Sequence, residues 1–148
     1  MPAVEPDTST LLSMRRTGMS FQRTRMSADR TLMSVIRTSI SLISFGFTIS
    51  QFFSKLKKAD MLGGAQDAPR NFGLALVWLG IGMLVLGILY HLQFMSGLRK
   101  LRAEMKSEGL IYAESHFPTS MTLLVALALL VVGILAMLSL QLDVGPFG

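Results

Sequence analysis

Arginine recurs at every seventh residue near the start of this 148-residue chain, and threonine follows each copy directly. Residues 13–40 form four seven-residue copies that read SMRRTGM, SFQRTRM, SADRTLM and SVIRTSI. A guanidinium group presents a planar fork of donors that fits phosphate oxygens, and neighbouring hydroxyls add further hydrogen bonds. We therefore predict anion-binding side chains at Arg23, Arg30 and Arg37.

The repeat also predicts the helix that positions these arginines. A period of seven keeps equivalent side chains on one helix face and favours supercoiling against a partner. The repeated face is polar, and it continues into the following apolar segment in alternating steps of four and three residues. This polar stripe consists of Arg30, Ser34, Arg37, Ser41, Ser44, Thr48 and Gln51. One long helix that carries the stripe into a membrane is the simplest interpretation.

Other chemistry is excluded or weakly indicated. The chain has no Cys, so disulfides, thiolate metal sites and a cysteine nucleophile are ruled out. Its two histidines, His91 and His116, fall toward the same side of the membrane, but two such groups without a nearby Asp or Cys make a poor site for a shared proton or a metal ion. A wet position at the membrane interface is the preferred interpretation for both. Hydrolase, phosphate-loop and metalloprotease motifs are missing. We predict no catalytic residue, metal or cofactor, and no enzymatic activity.

Composition indicates a membrane protein. Hydrophobic residues make up 51% of the chain, and charged residues make up only 16%, below the roughly 25% of soluble domains. Three stretches lack charge: residues 38–54, 71–98 and 115–142. The second and third exceed the ~20 residues that a membrane span needs, and the first is shorter and rich in hydroxyls. The predicted fold class is an all-α membrane protein with three transmembrane helices, the first extended into the cytoplasm.

The predicted organisation follows from these stretches. It comprises a disordered tail at 1–12, a heptad-repeat helix at 13–34, a transmembrane helix at 35–54, an external loop at 55–71, a transmembrane helix at 72–98, a cytoplasmic loop at 99–115, a transmembrane helix at 116–142 and an external tail at 143–148. The cytoplasmic loop begins with a charged helical extension that stops near Gly109. Ten basic residues flank the spans on the N-terminal side and four on the other, so we predict a cytoplasmic N-terminus and an external C-terminus. The net charge of +5 lies beside the spans, which favours anionic lipid over nucleic acid as partner.

Small residues recur at every seventh position on the second and third spans. They are Gly73, Gly80 and Gly87, then Thr119, Ala126 and Gly133, and the next step reaches the bulky Leu140 and ends the seam. Small residues let helix backbones approach closely in lipid, so we predict packing seams here. The polar stripe needs other surroundings, because an arginine within a span costs at least ~2.5 kcal/mol. Three spans are too few to bury this face and also enclose an aqueous path, and we predict a homo-oligomer with the first helices near its axis.

Residues 16–53 resemble the bacterial YidH family, small inner-membrane proteins with a widespread domain of unknown function. The resemblance lies in successive Arg-Thr pairs, Arg30-Thr31 and Arg37-Thr38, followed by Phe45-Gly46-Phe47. A related domain forms the membrane part of the eukaryotic vacuolar transporter chaperone complex, which makes polyphosphate and passes it across a membrane. The resemblance implies a place in the bacterial inner membrane and likens Arg30 and Arg37 to basic residues that face the polyphosphate path. It does not extend to polymer synthesis, since no catalytic or phosphate-sensing domain is present.

Two functional interpretations remain open. The first is an oligomeric channel or carrier for inorganic anions, either phosphate or polyphosphate, with Arg30 and Arg37 as an electrostatic filter. The second is a structural or regulatory subunit whose arginines snorkel, bind anionic lipid or a partner protein, or set topology, while the stripe forms interhelical hydrogen bonds. Asp29 is expected either to pair with a neighbouring arginine or to cap a helix turn that begins near Ser27.

Overall fold

The computed structural model describes residues 7–59, 67–108 and 120–142, which form three helices. They are α1 (Thr8–Lys58), α2 (Asp67–Ser107) and α3 (Met121–Leu142). All three are long and apolar enough to cross a membrane, which confirms the predicted all-α fold with three spans. With 51 and 41 residues, α1 and α2 reach about 75 Å and 60 Å, roughly twice the hydrocarbon thickness of a bilayer.

The first helix is continuous, as the repeat predicts, but it is longer than expected. It begins at Thr8, so the prediction of disorder is wrong for residues 8–12. The carbonyl of Asp7 accepts the backbone N–H groups of Thr10 and Leu11, which closes the first turn without an apolar pattern. At the other end α1 continues past residue 54 to Lys58, and basic side chains in its last turn favourably oppose the helix dipole.

The other helix boundaries differ from the expected ranges by several residues. The second helix begins at Asp67, before the predicted start at 72, and its charged extension runs to Ser107, close to the predicted stop near Gly109. The third begins at Met121, and the carbonyl of Ser120 accepts the N–H groups of Leu123 and Leu124. Predictions for 1–6, 60–66, 109–119 and 143–148, including those for His116 and Thr119, lie outside the described residues.

Helices α1 and α2 pack antiparallel through glycine. A Cβ placed on Gly46 would lie 2.5 Å from the carbonyl oxygen of Gly73, and one on Gly73 would lie 2.7 Å from the carbonyl oxygen of Gly46. Further along, Gly80 and Gly87 approach side chains of α1 in the same way. The predicted glycine seam of the second span is therefore confirmed. It brings the two backbones together where a larger residue would hold them apart.

The third helix completes the bundle against this pair. Ala126 and Gly133 are buried as predicted, and Gly133 faces Ile43 and Ile81. Leu140 does not end the inner face, because it is buried in the same cluster as Met137. The two core clusters contain Leu32, Ile36, Leu84, Ile88 and Ala126, and Ile43, Val77, Ile81, Met137 and Leu140. Apart from Gln141 in the last turn, the outward side chains of α3 are apolar and suited to lipid.

Residues 8–28 of α1 and 92–107 of α2 lie beyond the level of α3, and together they form what we call the extension. The boundary between the extension and the three-helix bundle is marked by a hydrogen bond in which Ser120 Oγ donates to Asp29 Oδ1 over 2.9 Å. Residues of α1 after Asp29 therefore run beside α3, and those before it project past its start. The end of the bundle that carries the extension is called the arginine end below.

Candidate functional site

The buried residues of α1 define its inner face. They recur in alternating steps of four and three residues: Leu32, Ile36, Ser39, Ile43, Gly46 and Ser50. This spacing keeps one side of α1 against α2 over three heptads. Three of these residues are small, and Gly80 and Gly73 approach the backbone at Ser39 and Ser50. The seven-residue period of the sequence thus serves close packing on this side of the helix.

The predicted polar stripe lies on the opposite side of α1. At 3.6 residues per turn, its members are centred roughly half a turn from the inner face. Every stripe residue from Arg30 to Thr48 is exposed, and Gln51 is half-buried. The stripe is therefore a single face, as predicted, and within one protomer that face is turned away from α2 and α3.

Hydroxyl groups along the stripe bond to their own helix. Ser41 Oγ donates to the carbonyl of Arg37 over 3.0 Å, and Thr48 Oγ1 donates to the carbonyl of Ser44 over 2.8 Å. Each threonine of the repeat likewise donates its hydroxyl to the backbone carbonyl of the serine in its own copy, over 2.9–3.1 Å. The pairs are Thr17 to Ser13, Thr24 to Ser20, Thr31 to Ser27 and Thr38 to Ser34. These bonds satisfy hydroxyl donors locally. The arginines are the stripe residues whose charge needs other surroundings.

The three predicted anion-binding arginines are spread along α1. At about 1.5 Å per residue, Arg23 lies about 9 Å outside the start of α3, Arg30 lies near that start, and Arg37 lies about 12 Å beyond it. The packing of Ile43 against Gly133 keeps α1 and α3 in this register. All three side chains are exposed on the outer face. One protomer does not gather them into a pocket, and Arg37 lies well within the layer that the apolar α3 spans.

A polar cluster that the sequence did not indicate joins all three helices at the arginine end. Asp29 Oδ1 accepts a hydrogen bond from Ser120 Oγ over 2.9 Å and lies 3.6 Å from His91 Nε2. The wet position expected for His91 is wrong, because its side chain is only 3% exposed. The expected cap at Asp29 is also wrong, because Asp29 lies inside the continuous α1. Its pairing with a neighbouring arginine stays a prediction.

Register explains why Asp29 and His91 meet. Asp29 precedes Leu32 by three residues, which continues the inner-face steps of α1, and His91 follows the buried Leu84 by seven on α2. One further step along the heptad pattern of each helix leads to Asp29 on α1 and to His91 on α2. Neither ring nitrogen of His91 has a hydrogen-bond partner within the described part of the chain. The same described residues contain no group of three or more His, Cys, Asp or Glu side chains placed to hold a metal ion.

Residues 23–97 match the family model described as Domain of unknown function (DUF202). The chain belongs to this family. The domain is of the YidH type, so the predicted family is confirmed. The match begins at Arg23 on α1 and ends at Gly97 on α2, so it includes the three arginines and the Asp29–His91 pair, but not Ser120 or α3. No curated protein and no solved structure matches the chain. The chain is thus a DUF202 membrane protein with three apolar helices.

Proposed function

We propose that this protein is a homo-oligomeric anion channel or carrier of the bacterial inner membrane, with outer faces of α1 from several copies around the path. The observation that supports the proposal is the position of Arg37: exposed, opposite the packing face of α1, and about 12 Å past the start of α3. An arginine at this level facing hydrocarbon costs at least ~2.5 kcal/mol. A second copy of the polar face removes that contact with lipid.

Several copies of Arg37 around one axis repel each other, and an anion between them relieves the repulsion. Rings of arginine select anions by this effect. The steps from Arg23 to Arg30 and from Arg30 to Arg37 are each about 10 Å along the helix, so one face carries charge from the arginine end into the apolar layer. Phosphate or polyphosphate is the proposed substrate, in keeping with the resemblance to the polyphosphate complex. The proposed orientation places the arginine end in the cytoplasm, because most basic residues lie there.

A structural or regulatory role is the second candidate, and a groove on α2 favours it. Tyr90 and Phe94 stack at 6.3 Å between ring centroids. They line an open groove of about 420 Å³ together with Gln93, Gly97, Leu98 and Leu101. The exposed Arg99 and Lys100 follow directly along α2. The second function requires a bound anionic lipid. Its acyl chain would lie in the groove, and its phosphate would lie beside these cations.

Purified protein in liposomes distinguishes the two functions. We expect flux of chloride, phosphate or short polyphosphate through the wild type, and about a tenfold loss in Arg37→Ala, which corresponds to roughly 1.4 kcal/mol. Arg15→Ala is the matched control, because Arg15 is exposed on the same helix but lies far outside α3. We expect its flux to stay within about twofold of the wild type. An assembled wild type that conducts none of these anions favours the lipid-binding subunit. Equal flux in both variants would contradict the role of Arg37 as the filter.

The oligomer itself is tested by cross-linking, because the chain has no Cys. Ser44→Cys places a single thiol on the outer face of α1, and Leu86→Cys places one on the exposed side of α2. We expect oxidation in mild detergent to join copies through residue 44 and to leave the residue 86 variant monomeric. Cross-linking at residue 86 alone would place the interface on α2 and contradict the proposed axis.

A further inference from the structure

We propose that Asp29 and His91 form a proton-binding site inside the helix bundle, to which Ser120 connects α3. The pair is independent of the proposed anion path, because it lies on the inner faces of α1 and α2 and the arginines lie on the outer face of α1. Three helices meet there: Asp29 belongs to α1, His91 to α2, and Ser120 immediately precedes α3.

Burial gives the two side chains different roles. The His91 side chain is 3% exposed and the Asp29 side chain is 30% exposed. The imidazole is therefore held away from solvent, and the carboxylate is the route by which a proton from water reaches it. The carboxylate already accepts the hydroxyl of Ser120 at Oδ1, and the same oxygen lies 3.6 Å from His91 Nε2. A carboxylate oxygen can accept both donors.

Protonation changes this arrangement without breaking a covalent bond. A neutral imidazole has one N–H and one nitrogen lone pair. In the proposed neutral form the N–H is on Nδ1 and the lone pair is on Nε2, where a proton that arrives through Asp29 binds. The ring then carries a positive charge and two N–H groups, and the net charge of the pair rises from −1 to 0. A buried cation is tolerated only beside an opposite charge. Asp29 supplies that charge and accepts the Nε2–H, which strengthens the contact between α1 and α2.

Few other charges face the pair from the described helices. On α1, Arg25 lies one turn before Asp29 and is half-buried, and Arg30 follows Asp29 but is exposed. On α2 there is no charged residue between Arg70 and Arg99, and residues 121–142 of α3 carry none. Arg25 precedes Asp29 by four residues, so its positive charge lies on the same helix face as the carboxylate and opposes a second positive charge on His91. Asp29 is the carboxylate placed to compensate His91 within these helices.

The test uses His116→Gln as background, because the chain has two histidines and this change leaves His91 as the only one. The imidazole nitrogens are followed by NMR in lipid nanodiscs between about pH 5 and about pH 8, the range in which histidine titrates. We expect a reversible conversion from neutral ring to imidazolium. In Asp29→Asn we expect loss of the imidazolium signal over the whole range, since the buried charge has no partner. Asp7→Asn removes an exposed carboxylate and is expected to change nothing.

Three outcomes overturn the proposal. The first is a ring that stays neutral throughout in the background protein, which requires no further variant to interpret. The second is an imidazolium signal that persists in Asp29→Asn. Asp29→Glu guards against a simple folding defect, because it keeps the carboxylate and is expected to restore the imidazolium. A helical, correctly assembled Asp29→Glu protein whose His91 stays neutral would also contradict a site formed by this pair.

Discussion

The inner and outer faces of α1 follow the same seven-residue period but meet different surroundings. The inner face, from Leu32 to Ser50, combines large apolar and small residues and is closed by α2. The outer face, from Arg30 to Thr48, combines arginines with hydroxyl side chains and remains exposed in the protomer. Side-chain size determines what packs against the inner face, because a methyl group added at either facing glycine would collide with the carbonyl oxygen of the other. Polarity determines what fits against the second.

This difference shows that a heptad repeat in a membrane helix can encode two contacts at once. One contact is made within the chain, and we propose that the other is made with a second copy, an anion or a lipid headgroup. Substitutions on the inner face should therefore affect folding, and substitutions on the outer face should affect assembly or flux with little effect on the protomer. The following changes test that separation, from the largest expected effect to the smallest.

Gly46→Ala should have the largest effect on folding. The added methyl group would meet the carbonyl oxygen of Gly73 at 2.5 Å and backbone nitrogen of Val77 at 2.9 Å, so the helices must separate. We expect a loss of about 3 kcal/mol in unfolding free energy, measured by denaturation in mixed micelles. Gly82→Ala is the control, because nothing lies within 4 Å of its Cβ position. Equal losses in both variants would contradict the close seam.

Leu84→Ala tests the core beside the seam. Leu84 is 0% exposed and Leu86, on the same helix, is 68% exposed. Truncation at residue 84 leaves a cavity among Leu32, Ile36 and Ile88, and we expect a loss of about 2 kcal/mol. Leu86→Ala should cost much less in the same denaturation assay, since it removes contacts with lipid only. A larger loss of unfolding free energy in Leu86→Ala than in Leu84→Ala would mean that Leu86, and not Leu84, faces the other helices.

Ser120→Ala should have an intermediate effect. It removes a partly buried hydrogen bond to a carboxylate that connects the start of α3 to α1. We expect a loss of about 1–2 kcal/mol and faster hydrogen exchange in the first turn of α3. Ser107→Ala serves as control, because the Ser107 hydroxyl bonds only within α2 and is exposed. Unchanged exchange at α3 would show that the hydrogen bond does not secure the helix.

Thr48→Ala should have the smallest effect on the protomer. Its hydroxyl bonds to the carbonyl of Ser44 in the same helix, and alanine is a better helix former. We expect a change below about 0.5 kcal/mol in the denaturation assay. Ser50→Val, on the inner face two residues later, should destabilise the protein by more than that, because Ser50 is 1% exposed. Similar effects at both positions would remove the distinction between the faces.

Much of the fold could be predicted from the sequence, because length, charge-free stretches and glycine spacing act locally. The long first helix and the glycine seam of α2 follow from such patterns. The inner face of α1 did not follow, since apolar residues face both protein and lipid in a membrane and hydrophobicity alone does not separate them. The polar stripe was grouped on one face, and the small number of spans already placed that face toward other copies. Which residues of α1 pack against α2 depended on Gly46 and its contact with Gly73.

The candidate sites divide in the same way. Arg23, Arg30 and Arg37 were found because their spacing is regular, and the structure places them on one exposed face without testing what they bind. The Asp29–His91–Ser120 cluster was missed, because its members are far apart in the chain and each is a single residue. Only the register of two antiparallel helices brings Asp29 to His91. A wet position was expected for His91 because the residue lies toward the predicted cytoplasmic end of the second charge-free stretch and has no Asp near it in the sequence.

The extension has a mechanical consequence. Because α1 and α2 run without a break from the spans into the extension, a tilt of the spans carries the extension with it. Residues 8–28 of α1 form an arm of about 30 Å, so a tilt of about 5° in the spans displaces the tip by about 3 Å. The molecule is thus a lever with its fulcrum near the start of α3, and small rearrangements among lipid-facing helices become atomic-scale displacements at the far end.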